Sequence, residues 1–340
     1  MQQPERNKIR LIGLDSARGL AIVLVVIFHY LHDRIFSGWA NIIIGPFGLG
    51  GVTLFFMLSG FLIERHLASD RNLVRYFSRR IFRILPAYLV CIAVILIIDR
   101  LTPDGHKWTL REVTINALLL QDILGAPLML GVIWTLLIEI KFYAVAPFVM
   151  RAGKITLRLA PYAAIAMNGV IFAHRGEAST FLTYLTFCFV GMQYGPWTRG
   201  EMSVPALLAL LIVTAFATYL FGNYFAAGLA IFVIVDGLIL AIALKWPIAF
   251  PMLSFFGRVS FSWYLYHAAI GYPLIVTLTA ATAGAPEAAL IVVAAAVLAT
   301  LAAAWISFMI FERSGIAFGH RCEKALFRFL PSSKPPGNSG

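Results

Sequence analysis

The chain has 340 residues, of which 60% are hydrophobic and only 13% charged, with a mean hydropathy of +0.85. That balance excludes an ordinary soluble domain and predicts an all-α, polytopic transmembrane helix bundle. The net charge of +11 would suit nucleic acid, but its clustering beside apolar runs fits the lipid bilayer surface instead, so no nucleic-acid partner is expected.

Apolar windows predict ten membrane-spanning helices, at 12–31, 47–64, 84–99, 128–150, 157–173, 180–195, 203–220, 225–244, 259–280 and 287–311. No n-region, short apolar core and small-residue cleavage site precede the first, so no removable signal peptide is expected. With the N-terminus cytoplasmic, twenty of the 27 Lys and Arg residues fall on the inner side, which predicts both termini inside. Residues 1–313 then form one transmembrane domain and 314–340 a short basic cytoplasmic tail, too rich in Pro, Gly and Ser at its end to fold further. Cys91, Cys188 and Cys322 have no CxxC or metal-ligand spacing, so neither a disulfide nor a metal is expected.

The first span carries three ionisable groups, Asp15, Arg18 and His29, in LDSARGLAIVLVVIFHY. Each costs about 2.5–3.5 kcal/mol at the bilayer centre, so a functional role is the default hypothesis. Eleven residues separate Arg18 from His29, about three turns plus 20° and a rise of about 16 Å, which places them on one face at different depths. The alternative is that Asp15 and Arg18 pair with each other at the helix entrance.

In the second stretch, FFMLSGFLIERH, Ser59 and Gly60 suit close helix packing or a kink. The preceding GPFGLGG, 45–51, reads as a loop, since no strand precedes it as a dinucleotide fingerprint requires. In VRYFSRRIFRILPAY, Arg75, Arg79 and Arg83 form a helical stripe, with Arg80 and Tyr88 nearby. Guanidinium groups bind phosphate bidentately, so this stripe suits a phosphorylated donor; anchoring to lipid headgroups is the alternative. The outer loop 100–127 is long enough to hold a short interfacial or re-entrant helix.

The fourth stretch, WTLLIEIKFY, runs from Trp134 to Tyr143 and places Glu139 in mid-span. A carboxylate there must be neutral, paired or wet, with Arg18 or a histidine as natural partners. In the fifth, GRVSFSWYLYH, Ser260, Tyr264 and His267 fall at i, i+4 and i+7 and form a polar face, with His267 a second candidate base. Asp236 is buried without a local motif, and no GxSxG marks a serine hydrolase.

Five such stretches in this order resemble the acyltransferase-3 family of integral membrane acyltransferases, which acylate bacterial surface polysaccharides, lipopolysaccharide and nodulation-type oligosaccharides. The arginine, ten residues, histidine spacing of Arg18 and His29 is similar to the family's opening motif, and the later stretches resemble its later motifs. Ser16 and Ala17 depart from the more usual Gly-Leu-type pair. The resemblance implies a ten-helix protein of the bacterial inner membrane that moves an acyl group, acetyl by family frequency, from cytoplasmic acyl-CoA to a carbohydrate hydroxyl, with the acceptor presented from the membrane or its outer side. It supports His29 as the essential histidine, Arg18 as its companion and Arg79, Arg80 and Arg83 as functional; with the residues' own chemistry, the candidate catalytic set is His29, Arg18, Asp15 and Glu139, and the candidate cofactor contacts are Arg75, Arg79, Arg80, Arg83 and Tyr88. Ser59, Trp134, Tyr143, Ser260, Tyr264 and His267 would line the pocket. No fused extracellular esterase-like domain is expected in this chain. Transfer directly through His29 as base and relay through an acyl-histidine both remain open. The rival classes are a transporter of glycolipid or protons, which buried Asp, Arg, His and Glu also serve, and a non-catalytic partner-binding component.

Overall fold

The computed structural model describes residues 3–32, 39–102, 105–222, 226–246, 248, 250–282 and 288–328, without the side chains of 3–11, 39–44 and 326–328. Arg34, the side chains of Arg6, Lys8 and Arg10, and the tail end 329–340 therefore lie outside the described residues.

The described chain is helical, without a β-sheet. In order it forms α1 (Gln3–Leu31), α2 (Trp39–Ser69), α3 (Leu73–Leu101), α4 (Leu110–Ala117), α5 (Gln121–Leu124), α6 (Ile133–Arg151), α7 (Lys154–Arg175) and α8 (Thr180–Thr198). Then follow α9 (Val204–Phe221), α10 (Ala226–Lys245), α11 (Pro251–Arg258), α12 (Ser260–Ala269), α13 (Gly271–Ala281), α14 (Ala289–Ser307) and α15 (Arg313–Arg328), with a π-helical turn, Phe308–Glu312, before α15.

Eight of these helices are long and apolar enough to cross a membrane, which makes the chain an integral multi-pass membrane protein. The expected spans at 180–195 and 259–280 are not among the eight. Thr183, Thr186 and Gln193 dilute the apolar run of α8, and the second stretch breaks at Ile270 into α12 and α13. The GPFGLGG run lies inside α2 rather than in a loop. Its glycines serve packing: a Cβ at Gly51 would sit 2.5 Å from the Ala21 carbonyl oxygen, so only glycine lets α1 approach so closely. The same device joins α2 to α8. A Cβ at Gly60 would lie 1.9 Å from the Cys188 oxygen, and one at Gly191 2.0 Å from the Met57 oxygen.

Polar contacts sort the helix ends into two faces. Arg151 donates to the Arg71 carbonyl, Arg158 to the Glu201 carbonyl, and Arg199 pairs with the fully buried Glu64 at 2.7 Å. These contacts gather the C-terminal ends of α2, α6 and α8 and the N-terminal ends of α3 and α7 on one basic face. On the opposite face Asn168 of α7 donates to Thr183 of α8, and Phe172 meets Phe221 at the end of α9.

The connection after α3 folds inward. The buried Asn116 carboxamide oxygen accepts from Gln121 and from the Met129 backbone, and its amide donates to the Glu112 and Pro127 carbonyls. Asp122 of α5 pairs with Lys141 of α6. The expected short helix in this loop is thus a pair, α4 and α5. At the other end of the molecule the first part of the tail is α15, which packs on α3: a Cβ at Gly315 would reach 2.5 Å from the Phe82 oxygen.

Candidate active site

One internal cavity of about 90 Å³ gathers residues from four of the five singled-out stretches together with Arg18. Its wall takes Arg18 from α1, Ser59 from α2, Arg80 and Arg83 from α3, Glu139 and Tyr143 from α6, and Ser260 and Tyr264 from α12. Helix periodicity explains the gathering. Glu139 and Tyr143 are one turn apart, as are Ser260 and Tyr264, so each helix turns one polar stripe to the same interior.

Glu139 does not find Arg18 or a histidine. Its Oε1 accepts from Ser59 Oγ at 2.6 Å and from the Tyr143 hydroxyl. Arg18 donates instead to Ser260 Oγ at 3.0 Å, and among the described residues no carboxylate lies within 4.0 Å of it. The Asp15–Arg18 pairing considered from sequence is therefore not formed, and Asp15 stands outside the cavity wall, its backbone packed against Gly257. Ser59 and Gly60 divide their tasks, the serine bonding Glu139 and the glycine letting α8 pack close.

A hydroxyl pair continues the polar line. The Tyr264 hydroxyl and Thr135 Oγ1 are 2.6 Å apart, and Tyr264 also donates to the Val132 carbonyl. One turn beyond Tyr264 lies His267, fully buried, with its Nε2 3.1 Å from Nδ1 of His29. The His267 carbonyl accepts from the buried Tyr30 hydroxyl at 2.9 Å. Gly271 makes room for that hydroxyl, since a Cβ there would come within 2.0 Å of it. Arg18 and His29, at different depths of α1, thus both meet α12, as their shared face implied.

The arginine stripe separates into two groups. Arg75 pairs with Asp70 at 2.7 Å and with Glu323 of α15 at 2.7 Å, and Arg79 pairs with the same Glu323 at 2.9 Å. Burial alone would raise the Asp70 carboxyl, but the bonds from Arg75 and the Asn72 backbone outweigh it and hold Asp70 below its ordinary range. Arg80 and Arg83, by contrast, have no carboxylate within 4.0 Å among the described residues and face the cavity. Arg80 also lies 5.5 Å from the Tyr143 ring centroid, and its Nε is buried without a partner.

Two candidates lie apart from this cavity. The Tyr88 hydroxyl donates to the Asn116 carbonyl and so helps hold the inward-folded connection. Trp134 packs against Tyr184 of α8, their ring centroids 5.1 Å apart and the planes tilted by 58°, and lines a second, larger cavity on the opposite face. Sequence reasoning missed Tyr184 and the buried Glu312, whose carboxylate accepts from Ser262 at 2.8 Å at the π-helical turn. A carboxylate ending an apolar run was the available signal for Glu312; Tyr184 gave none.

An integral membrane helix bundle with a hydroxyl-bound carboxylate and three guanidiniums around one cavity, and a histidine pair one turn beyond Tyr264, has the makings of a membrane enzyme for group transfer. A family model described as an acyltransferase domain matches residues 11–309, and the chain belongs to this acyltransferase-3 family. It is similar to a putative peptidoglycan O-acetyltransferase, YrhL, of Bacillus subtilis, with 28% identity over 58% of this chain and 33% of that one. It is also similar to the peptidoglycan O-acetyltransferase OatA of Listeria monocytogenes, with 25% identity over 78% of this chain and 49% of that one. A putative membrane-bound transacylase, BcsY, of Komagataeibacter xylinus is 36% identical over 26% of this chain and 20% of its own. The chain spans half or less of the length of these relatives. No solved structure matches it.

Proposed function

We propose that the chain is a membrane O-acetyltransferase of the bacterial inner membrane, moving acetyl from cytoplasmic acyl-CoA to a hydroxyl of an exported or surface carbohydrate. The observation that carries this reading is the cavity itself, with two guanidiniums lacking carboxylate partners toward the basic face and a polar line from Glu139 through Thr135 and Tyr264 to the histidine pair. By the excess of basic residues, the basic face is cytoplasmic. Arg80 and Arg83 hold the phosphates of coenzyme A, and the pantetheine arm brings the thioester into the bundle.

In this reading His29 acts through Nε2. The Trp263 carbonyl can only accept, so His267 Nδ1, 3.3 Å away, is the donor there. His267 Nε2 then accepts from Nδ1–H of His29, which leaves the lone pair of the His29 ring on Nε2. That nitrogen takes the proton of the acceptor hydroxyl as its oxygen attacks the thioester carbonyl. An ester C–O bond forms, the C–S bond breaks, and the proton passes to the departing thiolate. General-base assistance of this kind is worth roughly 10²–10⁴-fold. Arg18, whose guanidinium also lines the cavity, adds positive charge along the donor's path; the oxyanion forms beside His29, where the Tyr264 hydroxyl, one turn from His267, is the nearer donor. The relatives' names support an O-acetyl product on a glycan.

Purified protein in nanodiscs, given labelled acetyl-CoA and chitotetraose or peptidoglycan fragments, is expected to yield labelled saccharide. His29→Ala should lower that rate by about 10²–10⁴-fold while the protein stays monodisperse. Equal rates in the variant would remove His29 from the mechanism.

A further inference from the structure

The second cavity lies between α7, α8 and α9 on the face opposite the arginines, has a volume of about 400 Å³, and differs in chemistry from the first. The volume falls within the roughly 300–1,000 Å³ of small-molecule sites. Gly176 and Glu177, in the turn from α7 to α8, stand at its mouth, and Gly222 at the end of α9 completes that rim. Ile165 lies eleven residues before the mouth along α7, so the cavity descends about 16 Å into the bundle.

Its polar groups are mostly acceptors. Thr183, Thr186 and Thr218 each donate their proton to the carbonyl four residues back, at 3.1, 2.7 and 2.8 Å, so what they offer a ligand is oxygen lone pairs. The Glu177 carboxylate adds two more acceptor oxygens, while Tyr184, whose hydroxyl has no partner among the described residues, is a donor. Among the described residues, no lysine, arginine or histidine is in the wall. A phosphate, which brings only acceptors and negative charge, would find no complement here. A polyhydroxyl ligand brings the missing donors. The apolar part of the wall includes Trp134, Phe172 and Phe221, ring types that pack on the C–H face of a sugar.

The two cavities also share a partition. Trp134 lines the second and Thr135, the next residue, lines the first; Tyr184 meets Trp134 at 5.1 Å and Phe56, a wall residue of the first, at 5.0 Å. We propose that this second cavity is a binding site for a neutral saccharide, and, resting on the acetyltransferase reading above, that it holds the acceptor glycan beside the polar line of the first cavity.

Binding of fluorescently labelled chitotetraose, cellotetraose and isomaltotetraose to the full chain in nanodiscs tests the site without any turnover. At least one is expected to bind. Trp134→Ala should weaken it about tenfold or more, as loss of an aromatic anchor does, and Tyr184→Phe, which keeps the shape and removes one hydroxyl, should weaken it several-fold. Arg80→Ala should leave saccharide binding unchanged while weakening binding of coenzyme A. The assignment is overturned if none of the three probes binds at millimolar concentration, or if Trp134→Ala and Tyr184→Phe, both still folded, bind as well as wild type. Saccharide binding that is lost in these variants from a protein that transfers no acetyl would keep the site and discard the acetyltransferase reading.

Discussion

The two cavities of this bundle are built from the same kinds of helices and divide their chemistry cleanly. The smaller holds three arginines and a hydroxyl-bound carboxylate; the larger holds threonine oxygens, one carboxylate and aromatic faces. Charge is costly in the membrane interior, and the chain concentrates its guanidiniums in the smaller cavity and leaves the larger one without cations among the described residues. On the proposed reading, that contrast gives the smaller cavity to the anionic donor and the larger to the saccharide. The partition of Phe56, Tyr184 and Trp134 separates the two cavities.

The largest effect that would break this division comes from the arginines. Arg80→Ala and Arg83→Ala should each raise KM for acetyl-CoA by about 10-fold or more, since each removes a charge-assisted phosphate contact of about 1.5–3 kcal/mol. Arg75→Ala and Arg79→Ala, whose guanidiniums are bound to Glu323, should change that KM much less and instead expose α15 to proteolysis, read by digestion of intact protein. If the two groups raise KM alike, the stripe acts as one surface and the cavity is not the donor site.

A smaller effect sharpens the comparison through the wall that both cavities share. Gly60→Ala forces a methyl to within 1.9 Å of the Cys188 oxygen, a backbone atom that cannot swing aside, so α2 and α8 must separate. Overpacking of this kind costs about 1–3 kcal/mol, and a lower unfolding temperature in detergent is expected. An unchanged midpoint would show that the contact is not held so closely.

Much of the helix order was legible, because apolar runs must satisfy their backbone internally and so become helices. The stripe of Arg18 and His29 was legible too, since the two residues meet a second polar stripe, Ser260 to His267, with the same regularity. The partners were not legible. Ser59 lies 80 residues from Glu139, and Glu323 lies 244 from Arg79, so no local pattern announces either contact. Arg79 and Arg80 are neighbours in sequence but about 100° apart around the helix, which sends one to the tail and the other to the cavity. The run 45–51 was taken for a loop because glycine enrichment signals turns and close helix packing equally. The second cavity was hidden because threonine and aromatic residues are ordinary in spans, and only tertiary structure shows that their oxygens and rings face one space.

The central claim is that acetyl passes from one cavity to the other across the partition, and proteoliposomes of known orientation test it most directly. With acetyl-CoA confined to the basic face and a saccharide that binds the second cavity confined to the opposite face, acetylated saccharide is expected on the saccharide side. Product formed only when both substrates share one face would contradict the account.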